Sequence, residues 1–316
     1  MTTQLPKIAV LDDYQGVALD LADWSALNGR ADVTVFHDHL SDPAAVIARL
    51  QPFDVVCVMR ERTPLPRAIL TALPRLRLIV STGGRNASID LDAVREQGIS
   101  VCNTGGGGNG TVELTWALIH AAMRQLPAET ASIRAGGWQV AVGGDLIGKT
   151  LGIVGLGRIG SGVARVARAF EMDVVAWSPN LTQEKADAAG VRLVSKAELF
   201  RTADIVTIHM VLSDRTRDLI SAADLALMKP TSWLVNTSRG PLVDEAALIE
   251  ALQQRRLAGA ALDVFNIEPL PADHPMRTLP NVVATGHIGF VTEASYRVFY
   301  RDTVQCIVNW LDKQGG

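Results

Sequence analysis

The sequence has little that would tie it to a nucleic acid, a membrane or an oxidising compartment. Its 316 residues contain no cluster of Lys and Arg, and the formal net charge of −3 argues against nucleic acid as the main partner. No apolar stretch reaches membrane-spanning length. The N-terminus lacks a basic region ahead of its first apolar run, which Asp12 and Asp13 cut short, so no signal peptide is expected. Cysteine is scarce. Cys57, Cys102 and Cys306 are odd in number and scattered, with no C-x-x-C spacing. Cys57 and Cys102 lie in apolar, strand-like runs, so the expectation is buried free thiols in a reducing compartment, hence a cytoplasmic protein. Low-complexity tracts and internal repeats are also missing. What remains is a globular composition, 48% hydrophobic and 20% charged, long enough for two domains.

Short β-rich runs alternate with helix-like segments. Ile8–Leu11, Val33–Phe36, Val55–Met59, Leu78–Ser81 and Ile99–Asn103 read as strands. Between them Val17–Leu27, Pro43–Leu50 and Asp90–Gln97 read as helices, the second opened by Asp42 as cap and Pro43 in the first turn. The rhythm implies a parallel sheet with crossover helices. Gly105–Gly108 come next, four glycines in a row that are costly in entropy to order. They read as a linker or hinge, or else as a close approach of backbone to a ligand. After a helix over Thr111–Arg124, strands are expected at Val174–Trp177, Val191–Val194, Ile205–Met210, Trp233–Asn236, Ala260–Phe265 and Val282–Ala284. Ala222–Met228, Asp244–Arg255 and the last segment, Glu293–Lys313, read as helices. The expected domains are residues 105–289 for one and residues 1–104 with 290–316 for the other.

The apolar run Thr150–Val154 enters a glycine turn and a helical pattern leaves it. Gly155, Gly157 and Gly160, with Arg158 and Ile159 between the last two, fit the G-x-G-x-x-G pattern of a dinucleotide-binding βαβ unit. The first glycine permits the tight turn, the second admits a pyrophosphate, and the third lets helix pack on strand. A tight turn in an ordinary α/β core is the plainer explanation of the same residues. Such a unit calls for an acid roughly 20 positions further on, to hold a ribose hydroxyl. Ser178 stands there instead. Nothing at that point repels a 2′-phosphate and no Arg beside it attracts one, so NAD and NADP both stay open.

Three later strands each end in a residue suited to carboxylate chemistry: Arg239 after Trp233–Asn236, Glu268 after Ala260–Phe265, and His287 after Val282–Ala284. Ligands of open α/β sheets bind beyond the carboxyl ends of strands. Taken singly, these residues have plainer explanations: a surface ion pair, a solvated loop acid, a satisfied polar side chain. Three in succession make a candidate site. A guanidinium suits bidentate recognition of a carboxylate, and an imidazole titrates near neutrality, where it can both give and take a proton.

These stretches resemble the D-isomer-specific 2-hydroxyacid dehydrogenase family over nearly the whole chain. The resemblance rests on Gly148-Lys149-Thr150 through the glycine turn, Leu227-Met228-Lys229-Pro230, Asn236–Pro241 with Val243-Asp244-Glu245, Leu262–Phe265 with Glu268-Pro269-Leu270, and the His287 segment. It implies an α/β fold with a Rossmann nucleotide-binding domain inserted into a flavodoxin-like substrate domain, and a homodimer made largely through the nucleotide domain. It further implies an NAD- or NADP-dependent enzyme interconverting a small 2-ketoacid and its D-2-hydroxyacid. Arg239, Glu268 and His287 would form the catalytic set. Gly155, Gly157, Arg158, Ile159, Gly160, Ser178 and Thr237 would line the cofactor, and Asp263 resembles the family acid that contacts the nicotinamide amide, a capping role being its plainer explanation. For the substrate, the N–H groups of Ser81-Thr82-Gly83-Gly84 would form a carboxylate-binding nest, and Arg60 and Arg62 would meet a second anionic group, an ordinary surface position being the plainer explanation of one of the two.

The chain also departs from the family pattern. Gly286 replaces the proline usual before the histidine, Val211 replaces a common proline, and the run Gly105–Gly108 replaces a junction that usually contains proline. A second class shares this fold: nucleotide-sensing regulatory proteins of the corepressor kind, which retain the same trio. Formate dehydrogenases are disfavoured, because they carry an amide where Glu268 stands.

Overall fold

A computed structural model describes residues 4–106 and 108–314; Gly107, inside the four-glycine run, lies outside the described residues. The chain divides into two compact units, Met1–Gly108 together with Val291–Gly316, and Asn109–Phe290. Each is built on one parallel sheet, the α/β class expected from the alternation of runs.

The first unit carries β1 (Lys7–Val10), β2 (Asp32–Val35), β3 (Val55–Val58), β4 (Leu78–Ser81) and β5 (Ser100–Asn103), in the order β2-β1-β3-β4-β5. Strands β3 and β4 are buried at every position, because helices cover both faces of a parallel sheet. The cap signal at Asp42 acts as read: it accepts from the N–H groups of Ala44 and Ala45 at the start of the helix Pro43–Leu50. Asp90, expected inside its helix, stands before it and accepts from Ala93 N at the start of Leu91–Glu96. Such a cap stabilises a helix by about 1 kcal/mol.

Two expectations fail in this unit. Val17–Leu27 is not a helix: it runs through turns into a short 3-10 turn at Ser25–Leu27. The Asp13 carboxylate takes the N–H groups of Val17 and Ala18, and the Trp24 indole donates to the Ala18 carbonyl, so local side-chain bonds replace the helical ladder. Cys102 is likewise not a free thiol. It forms a disulfide with Cys306, 204 positions away, on the final helix Glu293–Gln314. One turn earlier on that helix, Asp302 accepts from Gly105 N at 2.8 Å. The free-thiol reading holds only for Cys57, whose burial pushes its thiol far up from the ordinary range.

The second unit carries β6 (Thr150–Val154), β7 (Asp173–Trp177), β8 (Arg192–Leu193), β9 (Ile205–Ile208), β10 (Trp233–Asn236), β11 (Gly259–Leu262) and β12 (Val282–Ala284). Their order is β12-β11-β10-β9-β6-β7-β8, so chain order reverses between β6 and β9. Side chains alternate across the sheet. Leu234 of β10 joins one buried layer with Val206 and Leu252, while Val235 joins the other with Ile153 and Val163. Among the described residues, no helix is long and apolar enough to cross a membrane.

Candidate active site

The turn after β6 is shaped by what its glycines exclude. Gly155 has φ +100°, a left-handed value suited to glycine, and a Cβ there would lie 2.5 Å from the His209 carbonyl oxygen at the end of β9. At Gly160 a Cβ would lie 2.2 Å from the Gly155 oxygen, which lets the helix Arg158–Ala169 start directly over the turn. Gly157 differs. It is exposed, nothing lies within 4 Å of where its Cβ would be, and it caps the helix without any side-chain bond to the first N–H groups. Those groups and the positive end of the helix dipole suit an anion.

Beside the turn, burial holds the His209 pKa down to about 3. Its Nε2 lies 3.0 Å from the Thr207 hydroxyl, and its Nδ1 has no hydrogen-bond partner among the described residues. An uncapped helix start and an orphaned polar nitrogen, both where the strand order reverses, fit a bound dinucleotide. Arg158 is exposed and Ile159 half-buried. Ser178 follows β7, and Trp177 before it accepts from Gly155 N at 2.9 Å. Thr237 is buried, its hydroxyl 2.8 Å from that of Thr115 on the helix Gly110–Met123. Nothing in the sequence links Thr115 to this site, because their contact depends on how that helix packs.

Arg239, Glu268 and His287 come together within the second unit. Asn236, at the end of β10, accepts from Ser238 N through its side-chain oxygen and donates from its amide to the Arg239 carbonyl. The Ser238 hydroxyl donates to Ile208 O at 2.7 Å, fixing this loop to β9. A Cβ on Gly240 would strike the Phe265 backbone at 2.1 Å, so the loops after β10 and β11 are pressed together. Glu268 curls back to accept from Phe265 N at 2.9 Å, and its Oε2 lies 2.6 Å from His287 Nδ1. A carboxylate only accepts, so Nδ1 carries the proton in this contact. The side chains of His287 and Glu268 are 20% and 32% exposed, enough for access without full solvation.

Burial alone would raise the Glu268 carboxyl. The hydrogen bond and charge of His287, the Phe265 N–H and the Arg239 guanidinium outweigh it and hold the group below the ordinary carboxylate range. His287 has φ +55°, a strained value for a side chain with a Cβ. The Phe290 ring stands edge-on to the imidazole at 5.5 Å. Asp263 is fully buried, and its carboxylate accepts from the Thr285 hydroxyl and from the N–H groups of Ile288 and Gly289. Thr285 was not legible as part of the site, since only the pairing of β11 with β12 brings it to Asp263.

In the first unit Arg60 and Gly83 meet. Arg60 has φ +56°, its N–H donates to the Thr82 hydroxyl, and its Nη1 occupies the space where a Cβ of Gly83 would be. The Gly83 N–H is committed to Thr104 Oγ1 at 2.8 Å, which takes it out of the expected nest. Gly84 stays exposed.

Residues 116–289 match the model of the D-isomer specific 2-hydroxyacid dehydrogenase, NAD binding domain. Over 256 residues the chain is 40% identical to D-3-phosphoglycerate dehydrogenase of Methanocaldococcus jannaschii, covering 80% of this chain and 48% of that one. It is 41% identical to glyoxylate reductase of Aeropyrum pernix, covering 71% and 70%. The crystal structure of phosphoglycerate oxidoreductase from Vibrio cholerae superposes with TM-score 0.93 at 39% identity, over 98% of this chain and 100% of that one. The chain spans about half the length of the first curated phosphoglycerate dehydrogenases it matches.

The glycine turn makes a prediction for unfolding by urea. Gly160→Ala, which collides with the Gly155 carbonyl, is expected to destabilise by about 1–3 kcal/mol. Gly157→Ala enters open space and is expected to stay within about 0.5 kcal/mol of the parent. Equal losses at the two positions would contradict this geometry.

Proposed function

The chain belongs to the D-isomer-specific 2-hydroxyacid dehydrogenase family, and on that premise we propose that it interconverts a small 2-ketoacid and the matching D-2-hydroxyacid with NAD or NADP. The observation that carries this reading is the 2.6 Å contact of His287 Nδ1 with Glu268 in a cluster that also holds Arg239. When bound, the nicotinamide supplies or accepts the hydride. His287 Nε2 gives a proton to the carbonyl oxygen as the ketoacid is reduced, and takes it back in the reverse direction. Glu268 stabilises the imidazolium that carries that proton. Arg239 binds the substrate carboxylate and draws negative charge from the carbonyl oxygen. Gly155, Gly157 and Gly160, with Arg158 and Ile159 at the helix start, hold the pyrophosphate, and Ser178 and Thr237 line the same cofactor. In the first unit Arg60 and Gly84 are our choice for a substrate anion, with Gly83 leaving room for the Arg60 guanidinium.

We also read the protein as a homodimer. Its segment 137–147 has neither helix nor strand, yet Glu129 accepts from the N–H groups of Val140 and Ala141, and the Ser132 hydroxyl donates to Trp138 O. This ordered segment exposes Trp138 (73%), Val142 (98%) and Ile147 (62%). A cavity of about 340 Å³ beside it is lined by His120, Met123, Leu146 and Phe170. An ordered apolar surface of this kind supports burial against a second copy. A cytoplasmic placement rests on the cofactor, which is kept inside cells, and there the Cys102–Cys306 disulfide would meet the reducing glutathione pool.

Two measurements check these readings. Glyoxylate, pyruvate, hydroxypyruvate and D-3-phosphoglycerate are to be assayed with each nicotinamide cofactor, across pH, in the parent and Glu268→Gln. Turnover is expected on at least one, with kcat/KM for reduction falling as pH drops through the depressed Glu268 pKa, because a protonated carboxyl no longer supports the imidazolium. Glu268→Gln is expected to lose that acidic limb and about tenfold or more of the neutral rate. Tight cofactor binding without turnover on any compound would contradict the enzymatic reading. For the dimer, light scattering of Trp138→Asp/Val142→Asp is expected to give half the parent's mass, and an unchanged dimer would overturn the assigned surface.

A further inference from the structure

The helix Gly110–Met123 lies against the sheet of the second unit through Val112, Trp116 and Ile119, which join the buried layer of Ile153 and Val235. Thr115 shares that face with none of its surface exposed, where a hydroxyl costs stability unless it is bonded. Its hydroxyl donates to the Thr111 carbonyl one turn back at 2.7 Å, which uses its one hydrogen. In the 2.8 Å pair with Thr237 the donor is therefore Thr237, and Thr115 accepts. Thr111 reaches a different loop. Its hydroxyl donates to the Gly289 carbonyl at 3.2 Å, and a Cβ on Gly289 would meet that same oxygen at 3.4 Å. Thr237 stands two residues before Arg239, and Gly289 two residues after His287. One turn of one helix thus joins the loop after β10 to the loop after β12, with β11 between them.

We propose that Thr111 and Thr115 are positioning residues that set the spacing between Arg239 and His287. The proposal rests on the reading of those two residues as carboxylate binder and proton donor, and it deepens that reading. A 2-ketoacid carries its carboxylate and its carbonyl on adjacent carbons, so the guanidinium and the imidazole that meet them must keep one separation. A helical turn is a rigid spacer: the rise from position 111 to 115 is about 6 Å and is fixed by backbone hydrogen bonds. A misplacement of about 1 Å at such a site is enough to cost on the order of a hundredfold in rate.

The test compares Thr115→Val and Thr111→Val, which delete a hydroxyl at nearly constant volume, with the parent at saturating cofactor on the ketoacid that the parent reduces fastest. Thr115→Val loosens the Arg239 loop and is expected to raise the ketoacid KM by about tenfold, with kcat falling less than about threefold. Thr111→Val loosens the His287 loop and is expected to lower kcat by about fivefold or more, with KM within about twofold of the parent. Thr115→Ser and Thr111→Ser keep the hydroxyls and are expected to return both constants to within about twofold of the parent. Valine variants with both constants already in that range, or serine variants no better than the valines, would overturn the proposal. Should Thr115→Val not fold, Thr111→Val, at a half-buried position, decides alone. A parent without turnover would sink the ketoacid reading only, because the imidazole resonances of histidine-labelled protein still test the helix contact. The His287 signal, identified by its loss in His287→Gln, is expected to shift in Thr111→Val and to return in Thr111→Ser. An unmoved signal would overturn the proposal.

Discussion

The 2.6 Å contact between His287 Nδ1 and Glu268 Oε2 is the interaction on which the site depends. It fixes the protonated nitrogen and lowers the Glu268 carboxyl despite burial. It also demands much of the fold. The two residues stand on loops after different strands, 19 positions apart, and one of them is held in a left-handed backbone conformation. Such strain persists only where the surroundings over-determine it.

The surroundings do so through ties that pass from each strand end to the next. Ser238 binds back to β9 and Asp263 N donates to Asn236 O at the end of β10. Gly240 lies against the Phe265 backbone after β11, and Asp263 grips the loop after β12. Parallel register places all these carboxyl ends on one edge of the sheet, so a loop cannot shift without breaking a bond to its neighbour. The glycine turn belongs to the same edge: its first and third glycines make room for main chain, and its second leaves the helix start open.

Much of this was legible in the sequence because it is local. The glycine spacing, the runs Leu78–Ser81, Trp233–Asn236 and Val282–Ala284, and the cap Asp42 lie where the residues indicate. Arg239, Glu268 and His287 were found because each follows a strand. What escaped depends on pairs far apart in the chain. The Cys102–Cys306 disulfide exists only because the last helix returns to β5, and Thr115 reaches Thr237 across 122 positions. Val17–Leu27 misled for the opposite reason, since its apolar spacing is helical but Asp13 captures the N–H groups that would start the helix.

The most direct measurement of the central claim is single-turnover reduction of a ketoacid by His287→Asn beside the parent, with cofactor affinity determined on both. An asparagine keeps the size and polarity of the site but has no proton to give in this range of pH. The account predicts a rate lower by about 10²–10⁴ with cofactor affinity unchanged. A variant that reduces the ketoacid at the parent's rate would contradict it.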